Sequence, residues 1–373
     1  LLQRGDDLLL GVSLLRHVEP PRSPLRGPQL PTISPISIGT TSGFWINWAL
    51  KVVSESGAFG VCLFFVLSSY LITELLLREN EATGAIHLKE FYVRRVLRIW
   101  PLYFGFIALC ILLGWFYPPW RLDWMRVAGF VFLAGNWYTG AFGYTSNPIS
   151  PLWSVSLEEQ FYLLWPWLAR CGRRVTIALA AATLPFSMAM LVWLASQGAD
   201  SDAAVWTNSF VQFLFFGCGA LLCFALRRSS LSRSPWRAGV LVTGGALCWF
   251  IAEAVTQIKA KGGQPGAMQL CEGYVLVAAG SCLLLLGFLS LPASAVPKPL
   301  AYLGKISYGL YVYHELCIYL SRRLFATVDH GFTLAAIVSL AATIGMAILS
   351  YELYERRFLK LKERFTFVPS RAA

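Results

Sequence analysis

Apolar residues run along this chain in blocks of close to twenty, divided by short polar stretches where Lys and Arg collect. A block of that length matches the roughly 30 Å hydrocarbon core of a bilayer at about 1.5 Å of helix rise per residue. The pattern predicts spanning helices over 58–77, 97–117, 152–168, 175–195, 205–226, 238–255, 273–291, 306–320 and 332–354, with a weaker tenth run at 8–18. The run 127–137 is only about eleven residues, too short to cross, and is expected to be re-entrant or interfacial.

Charge then orients the blocks. Basic clusters stand at Arg94, Arg95 and Arg98; at Arg170, Arg173 and Arg174; at Arg227, Arg228, Arg233 and Arg237; and at Arg356, Arg357, Lys360, Lys362 and Arg364. The positive-inside rule puts all four in the cytoplasm, which works only if 127–137 does not cross. The expected fold class is therefore all-α: a polytopic membrane protein of about ten transmembrane helices plus one short re-entrant or interfacial helix, both termini cytoplasmic. Residues 1–355 form one membrane domain, with 19–56 an extended outer loop because 20–41 is rich in Pro, Ser, Gly and Thr. The tail 356–373 is basic and amphipathic and is expected to lie on the cytoplasmic membrane surface. No appended soluble domain, cleaved signal peptide or internal repeat is expected, and the lack of a repeat weakens a transporter built from two related halves.

Composition narrows the classes further. The chain is 56% hydrophobic and only 14% charged, well beyond a soluble domain. Its formal charge of +11 lies in short loops, where topology rather than nucleic-acid binding accounts for it. The nine cysteines are scattered in or beside apolar runs, without metal-site or disulfide spacing, and read as small core residues; no metal is expected.

Against that apolar background the segment Trp153-Ser-Val-Ser-Leu-Glu-Glu-Gln-Phe-Tyr162 sets two carboxylates, Glu158 and Glu159, inside a helix. An ionisable group at membrane depth is a functional candidate. Glu158 is the candidate for chemistry, and Glu159 reads as functional or as an interfacial charge reaching for water. His17 stands at the outward end of the first run, where an imidazole can take a proton from a hydroxyl if a carboxylate orients it; Glu158 and His17 are both placed in the outer half of the membrane. Arg94, Arg95 and Arg98 lie within about a turn, and Arg94 and Arg98 share a face on which two guanidinium forks can grip a phosphate. They are either topological charges or the anchor of a phosphorylated cofactor. The choice of Arg three times over Lys, directly before Trp100, Pro101 and Tyr103, points to the anchor. His314 lies mid-span and needs a polar partner such as Ser307, Tyr311 or Glu315. Ser68 and Ser69 read as packing residues, and Gly217 and Gly219 as close helix contacts.

These pieces, in order, resemble acyltransferase family 3, the integral-membrane acyltransferases of exported glycans and related acceptors. The resemblance rests on Gly60-Val-Cys-Leu-Phe-Phe-Val-Leu-Ser68, the Arg94, Arg95, Arg98 segment with Pro101 and Tyr103, the segment around Glu158, Phe215-Phe-Gly217, Gly304-Lys-Ile-Ser-Tyr308 through His314, and Ser350-Tyr351 with Glu355. It implies transfer of an acyl group, acetyl first, from cytoplasmic acyl-CoA to a hydroxyl of a glycan, a lipid-linked saccharide or a small hydroxylated acceptor. It further implies a bacterial cytoplasmic (inner) membrane, a stand-alone form of the family, His17 and Glu158 as catalytic residues, and Arg94, Arg95 and Arg98 as donor-binding residues. His314, Ser307 and Tyr308 become substrate-facing or structural polar groups. Two departures stand out: Arg4-Gly5 is followed by Asp6-Asp7, which leaves a short first run, and Ser69 replaces a commoner Gly.

The expected chemistry has Arg94 and Arg98 holding the donor phosphates while the pantetheine arm reaches across the membrane to His17, which acts as general base or is itself acylated. A flippase using His314, Glu158 and the arginines as a path would move substrate without consuming donor. An inactive scaffold would tolerate loss of His17 and Glu158.

Overall fold

The computed structural model describes residues 41–199, 201–228, 233–258, 265–328 and 331–366. His17 and the run 8–18 lie outside the described residues, as do the tail positions 367–373. Everything regular in the described residues is helical, as the apolar periodicity requires.

The helices are α1 (Thr41–Ser56), α2 (Gly60–Thr83), α3 (Leu88–Phe116), α4 (Trp124–Val131), α5 (Gly135–Phe142), α6 (Leu152–Arg170), α7 (Arg173–Ser196) and α8 (Ser209–Leu226), followed by α9 (Pro235–Ile251), α10 (Ala267–Leu289), α11 (Lys298–Lys305), α12 (Ser307–Leu324), α13 (Gly331–Ser350) and α14 (Arg356–Glu363). Among the described residues seven stretches are long and apolar enough to cross a membrane: Trp48–Thr83, Leu88–Phe116, Arg173–Ser196, Ser209–Leu226, Pro235–Thr256, Ala267–Leu289 and Gly331–Glu363. The expected count of about ten is thus met only to seven on length and apolarity. The expected spans 152–168 and 306–320 do form helices, α6 and α12, but Glu158, Glu159 and Gln160 dilute the first and His314, Glu315, Arg322 and Arg323 the second.

Three other expectations change. The outer loop 19–56 is helical over Thr41–Ser56 and runs through one tight turn, Gly57–Phe59, into α2. That stretch holds no proline, repeats apolar residues on a helical period and carries an i,i+4 pair, Lys51 and Glu55, 3.9 Å apart. The short run 127–137 becomes two helices, α4 and α5, broken at Phe132–Ala134, where Leu133 adopts a positive φ of 58°. The basic tail continues from α13 through one widened turn, Tyr351–Glu355, into α14, which packs along α3 rather than lying free.

The bundle closes through pairs of helices: α2 with α8 and α10, α7 with α8, α9 with α10, and α12 with α13. Two glycines of α8 make close approaches to neighbouring helices. A Cβ on Gly217 would sit 1.9 Å from Thr183 Oγ1, and one on Gly219 would sit 2.1 Å from the Val66 carbonyl oxygen. Only glycine lets α8 touch α7 and α2 this closely, which is the role the sequence predicts. Ser69 belongs to the same seam and donates to the Phe216 carbonyl at 2.5 Å. Beside it Phe65, Phe161 and Phe216 stack, with centroids 4.8 and 4.3 Å apart. None of the nine cysteines forms a disulfide; Cys62, Cys110, Cys223 and Cys317 are buried as small core residues, whereas Cys171 is exposed.

Candidate functional site

The site is built where α3 and α6 run antiparallel. Going up α3, Tyr92 donates to the Leu163 carbonyl at 2.8 Å, the Arg95 guanidinium lies 5.3 Å from the centre of the Tyr162 ring, Trp100 Nε1 donates to Glu159 Oε2 at 2.8 Å, and Tyr103 meets Ser156 Oγ at 2.9 Å. Rising numbers on one helix meet falling numbers on the other. Successive side chains on a helix diverge by about 100°, so Glu158 and Glu159 cannot share a partner surface. Glu159 turns to α3, and Glu158 turns to α2.

Glu158 is buried, 4% exposed, in a knot of hydroxyls. Ser68 Oγ donates to its Oε1 at 2.5 Å, the Tyr162 hydroxyl donates to the same oxygen, and the two hydroxyl oxygens are 2.6 Å apart. Among the described residues Oε2 of Glu158 has no hydrogen-bond partner, so one carboxylate oxygen is pinned and the other is left for a ligand or a further side chain. Glu159 is held by Trp100 on one oxygen, while its Oε1 is buried without a partner.

The three arginines separate. Arg94 is buried and engaged: Nη2 meets Glu79 Oε2 at 2.7 Å and Nη1 donates to the Phe365 carbonyl at 2.7 Å. Glu79 in turn accepts from the His87 backbone N–H at 2.9 Å. Arg94 therefore ties α2, α3 and the segment after α14 together. Arg95 is half-buried between the rings of Phe91 and Tyr162, 5.4 and 5.3 Å from their centres, and its Nε is buried without a partner. Arg98 is exposed. Neither Arg95 nor Arg98 forms a salt bridge among the described residues, so the pair left open to an anion is Arg95 with Arg98 rather than the expected Arg94 with Arg98.

The sequence also places the arginines and Glu158 at opposite ends of the membrane, and the structure brings them together. The reason is the start of α3: it begins at Leu88, not 97, so Arg95 and Arg98 stand about 10 and 15 Å along the helix instead of at its end. Glu158, about 9 Å in from the other end of α6, meets them about a third of the way along each helix. Arg95 and Arg98 are the guanidinium charges that act on it.

On α12, Tyr308 donates to the Ile99 carbonyl at 3.1 Å, and Tyr311 donates to the Pro151 carbonyl at 2.8 Å and meets Ser154 Oγ at 2.5 Å. These bonds dock α12 on both α3 and the start of α6. His314 is half-buried and its Nδ1 faces the carbonyl of Tyr311, so that nitrogen carries the proton and Nε2 keeps its lone pair. Ser307 is exposed and forms no side-chain hydrogen bond among the described residues. Ser68 and Tyr162 are the site residues that sequence reasoning overlooks. Tyr162 carries a usable signal, since it lies four residues after Glu158 on one helix face; Ser68 carries none, because its partner is 90 positions away.

Fold and site together define a helical membrane protein with a buried acid and hydroxyl cluster beside guanidinium groups that lack a protein counter-ion. The chain belongs to acyltransferase family 3: the model of that family, described as an acyltransferase domain, matches residues 31–352. His17 lies outside the matched segment. Among its relatives are the peptidoglycan O-acetyltransferase OatA of Listeria monocytogenes, 29% identical over 83% of this chain and 51% of its own, and the putative peptidoglycan O-acetyltransferase YrhL of Bacillus subtilis, 26% identical over the same shares. The O-acetyltransferase OatA of Staphylococcus aureus is 27% identical over 85% of this chain and 55% of its own. The chain thus spans about half the length of the curated relatives it matches. No solved structure matches it.

Proposed function

We propose that this chain is the membrane module of a bacterial O-acyltransferase that moves an acyl group, acetyl in the simplest case, from cytoplasmic acyl-CoA to a hydroxyl of a glycan. The observation that carries this reading is Glu158 with one oxygen bound to Ser68 and Tyr162 and the other without a partner, next to Arg95 and Arg98 with no paired carboxylate. Guanidinium groups without a protein counter-ion suit the phosphates of coenzyme A. The names of the relatives, all O-acetyltransferases and two of them acting on peptidoglycan, support a glycan acceptor.

In this reading the acceptor hydroxyl oxygen attacks the thioester carbonyl, the C–S bond breaks, and coenzyme A leaves as a thiolate that takes up a proton. His17 receives the hydroxyl proton, and Oε2 of Glu158 orients its imidazole and stabilises the imidazolium. The polar helices α6 and α12 cross the membrane inside the bundle, shielded from lipid, and with the run 8–18 bring the spans to ten. Both termini are then cytoplasmic, the arginine end faces the donor, and the far end, with α4 and α5, faces the acceptor.

The test is thiol release from acetyl-CoA by the purified protein in lipid discs with a peptidoglycan fragment as acceptor. Glu158→Gln and His17→Ala should each cut release and acceptor labelling to a small residual rate. Full donor turnover in Glu158→Gln would overturn the assignment, and movement of glycan across the bilayer without thiol release would make the protein a flippase.

A further inference from the structure

The terminal helix α14 is amphipathic, yet its pattern is broken at one position. Arg356, Arg357 and Lys360 are exposed, as a basic helix on a cytoplasmic surface requires, whereas Phe358, Leu359, Lys362 and Phe365 are half-buried on the face that packs along α3. An apolar residue belongs at 362 on that face, and a lysine stands there instead. Its position is not accidental slack: the chain just beyond it is bolted down, because the Phe365 carbonyl accepts from Arg94 Nη1 at 2.7 Å and Arg94 is itself fixed by Glu79.

The charges that act on Lys362 include the guanidinium groups of Arg98, Arg95 and Arg94, and one carboxylate, Glu363, which is exposed on its own helix. Arg94 is neutralised by Glu79, but Arg95, Arg98 and Lys362 have no carboxylate within salt-bridge distance among the described residues. Two further acids lie near Arg98 and are already engaged: Glu355 accepts from Ser350 at 2.8 Å, and Glu158 accepts from Ser68 and Tyr162. Three like charges gathered on a partly desolvated surface repel one another unless an anion sits between them. The buried Nε of Arg95, without a partner, is a further donor left unsatisfied in the same cluster.

We infer that Lys362 completes, with Arg95 and Arg98, a site for a phosphate-bearing ligand, and that this ligand is the coenzyme A part of the acyl donor. The inference rests on the proposed acyl transfer and extends it, making the terminal helix a wall of the donor site rather than a membrane-surface tail. A lipid headgroup offers the same phosphate chemistry. The donor is favoured because Arg356, Arg357 and Lys360 are exposed and open to a headgroup, while Lys362 is half-buried on the face that packs along α3, where Arg95 and Arg98 act on it.

The experiment is titration of free coenzyme A into the full chain in discs made of phosphatidylcholine alone, then in discs containing phosphatidylglycerol. Lys362→Met should weaken coenzyme A binding by about tenfold, the loss of one charge-assisted contact, and Lys362→Arg should restore it. Unchanged elution and melting temperature in both variants exclude misfolding as the cause. Equal affinity in wild type and Lys362→Met overturns the inference. So does Lys362-dependent retention of phosphatidylglycerol in a protein that binds no coenzyme A, which would make the ligand a lipid. Lys362-dependent coenzyme A binding in a protein that never releases thiol or labels an acceptor would sink the acyl-transfer reading and leave the phosphate site standing.

Discussion

Two hydroxyls converge on one oxygen of Glu158, and this geometry makes a quantitative prediction for Ser68→Ala and Tyr162→Phe. A hydrogen bond to a charged group contributes roughly 1.5–3 kcal/mol. Either single variant leaves the other donor on Oε1, so the loss should fall at the low end, about tenfold in kcat/KM for donor turnover. Tyr162→Phe keeps the ring beneath Arg95, which restricts the change to the hydroxyl. The double variant leaves a buried carboxylate oxygen with no donor, and the penalty should exceed the product of the singles by about another tenfold, an interaction of roughly 1 kcal/mol or more. In a Glu158→Gln background the same two substitutions should change the residual rate little, because the hydroxyls then act on a neutral amide. The assay is thiol release from acetyl-CoA at varied donor concentration in lipid discs. Single effects that multiply without excess, and persist at full size beside Glu158→Gln, would refute the claim that Ser68 and Tyr162 act through this carboxylate.

Gly219→Ala should destabilise the bundle by about 1–3 kcal/mol, since its Cβ would stand 2.1 Å from the Val66 carbonyl oxygen; an unchanged melting temperature in detergent would show that α2 and α8 part at no cost. Arg94→Met should cost more, about 3–5 kcal/mol, by leaving Glu79 buried with a half-buried histidine in place of its guanidinium; folded yield and melting temperature read it, and Arg94→Met with Glu79→Leu should recover much of the loss. Arg227→Ala removes contacts to Glu74, at 2.7 Å, and to Glu81, both partly solvated, so it should lower stability by only about 1 kcal/mol or less per pair, with a smaller effect at high salt.

Long-range pattern was legible in the chain and register was not. The helices, the basic clusters between them and the glycine contacts of α8 follow from period, charge and residue size, which act locally. The segment of α1 was read as extended loop, and α3 was given too late a start: it begins nine residues before the predicted 97, in a polar segment containing Lys89 and Glu90. That difference sets the arginines within α3, where they act on Glu158, rather than at its start. The helices α6 and α12, expected from their apolar runs, do form, and fall short of a spanning hydropathy because Glu158, Glu159 and Gln160 dilute the first and His314, Glu315, Arg322 and Arg323 the second. Glu158 and the arginine triplet were visible because charge inside an apolar run is costly. Ser68 was not, because a serine hydroxyl in a helix can bond its own backbone and so gives no sign of a distant partner.

The adjacent glutamates also separate two roles that their sequence position merges. Glu159 faces α3, where Trp100 binds one oxygen and the other is buried without a donor. Glu158 faces α2, where two hydroxyls hold one oxygen and the guanidinium groups of Arg95 and Arg98 act on the whole carboxylate. A carboxylate that is to orient a base must be fixed while offering a free lone pair, and at Glu158 two hydroxyls fix Oε1 while Oε2 is left over. Helix geometry makes the division unavoidable, because residues one apart project about 100° away from each other. The α3 and α6 pair thus presents two guanidinium groups, Arg95 and Arg98, without a salt bridge among the described residues and a fixed acid, Glu158, within one antiparallel contact.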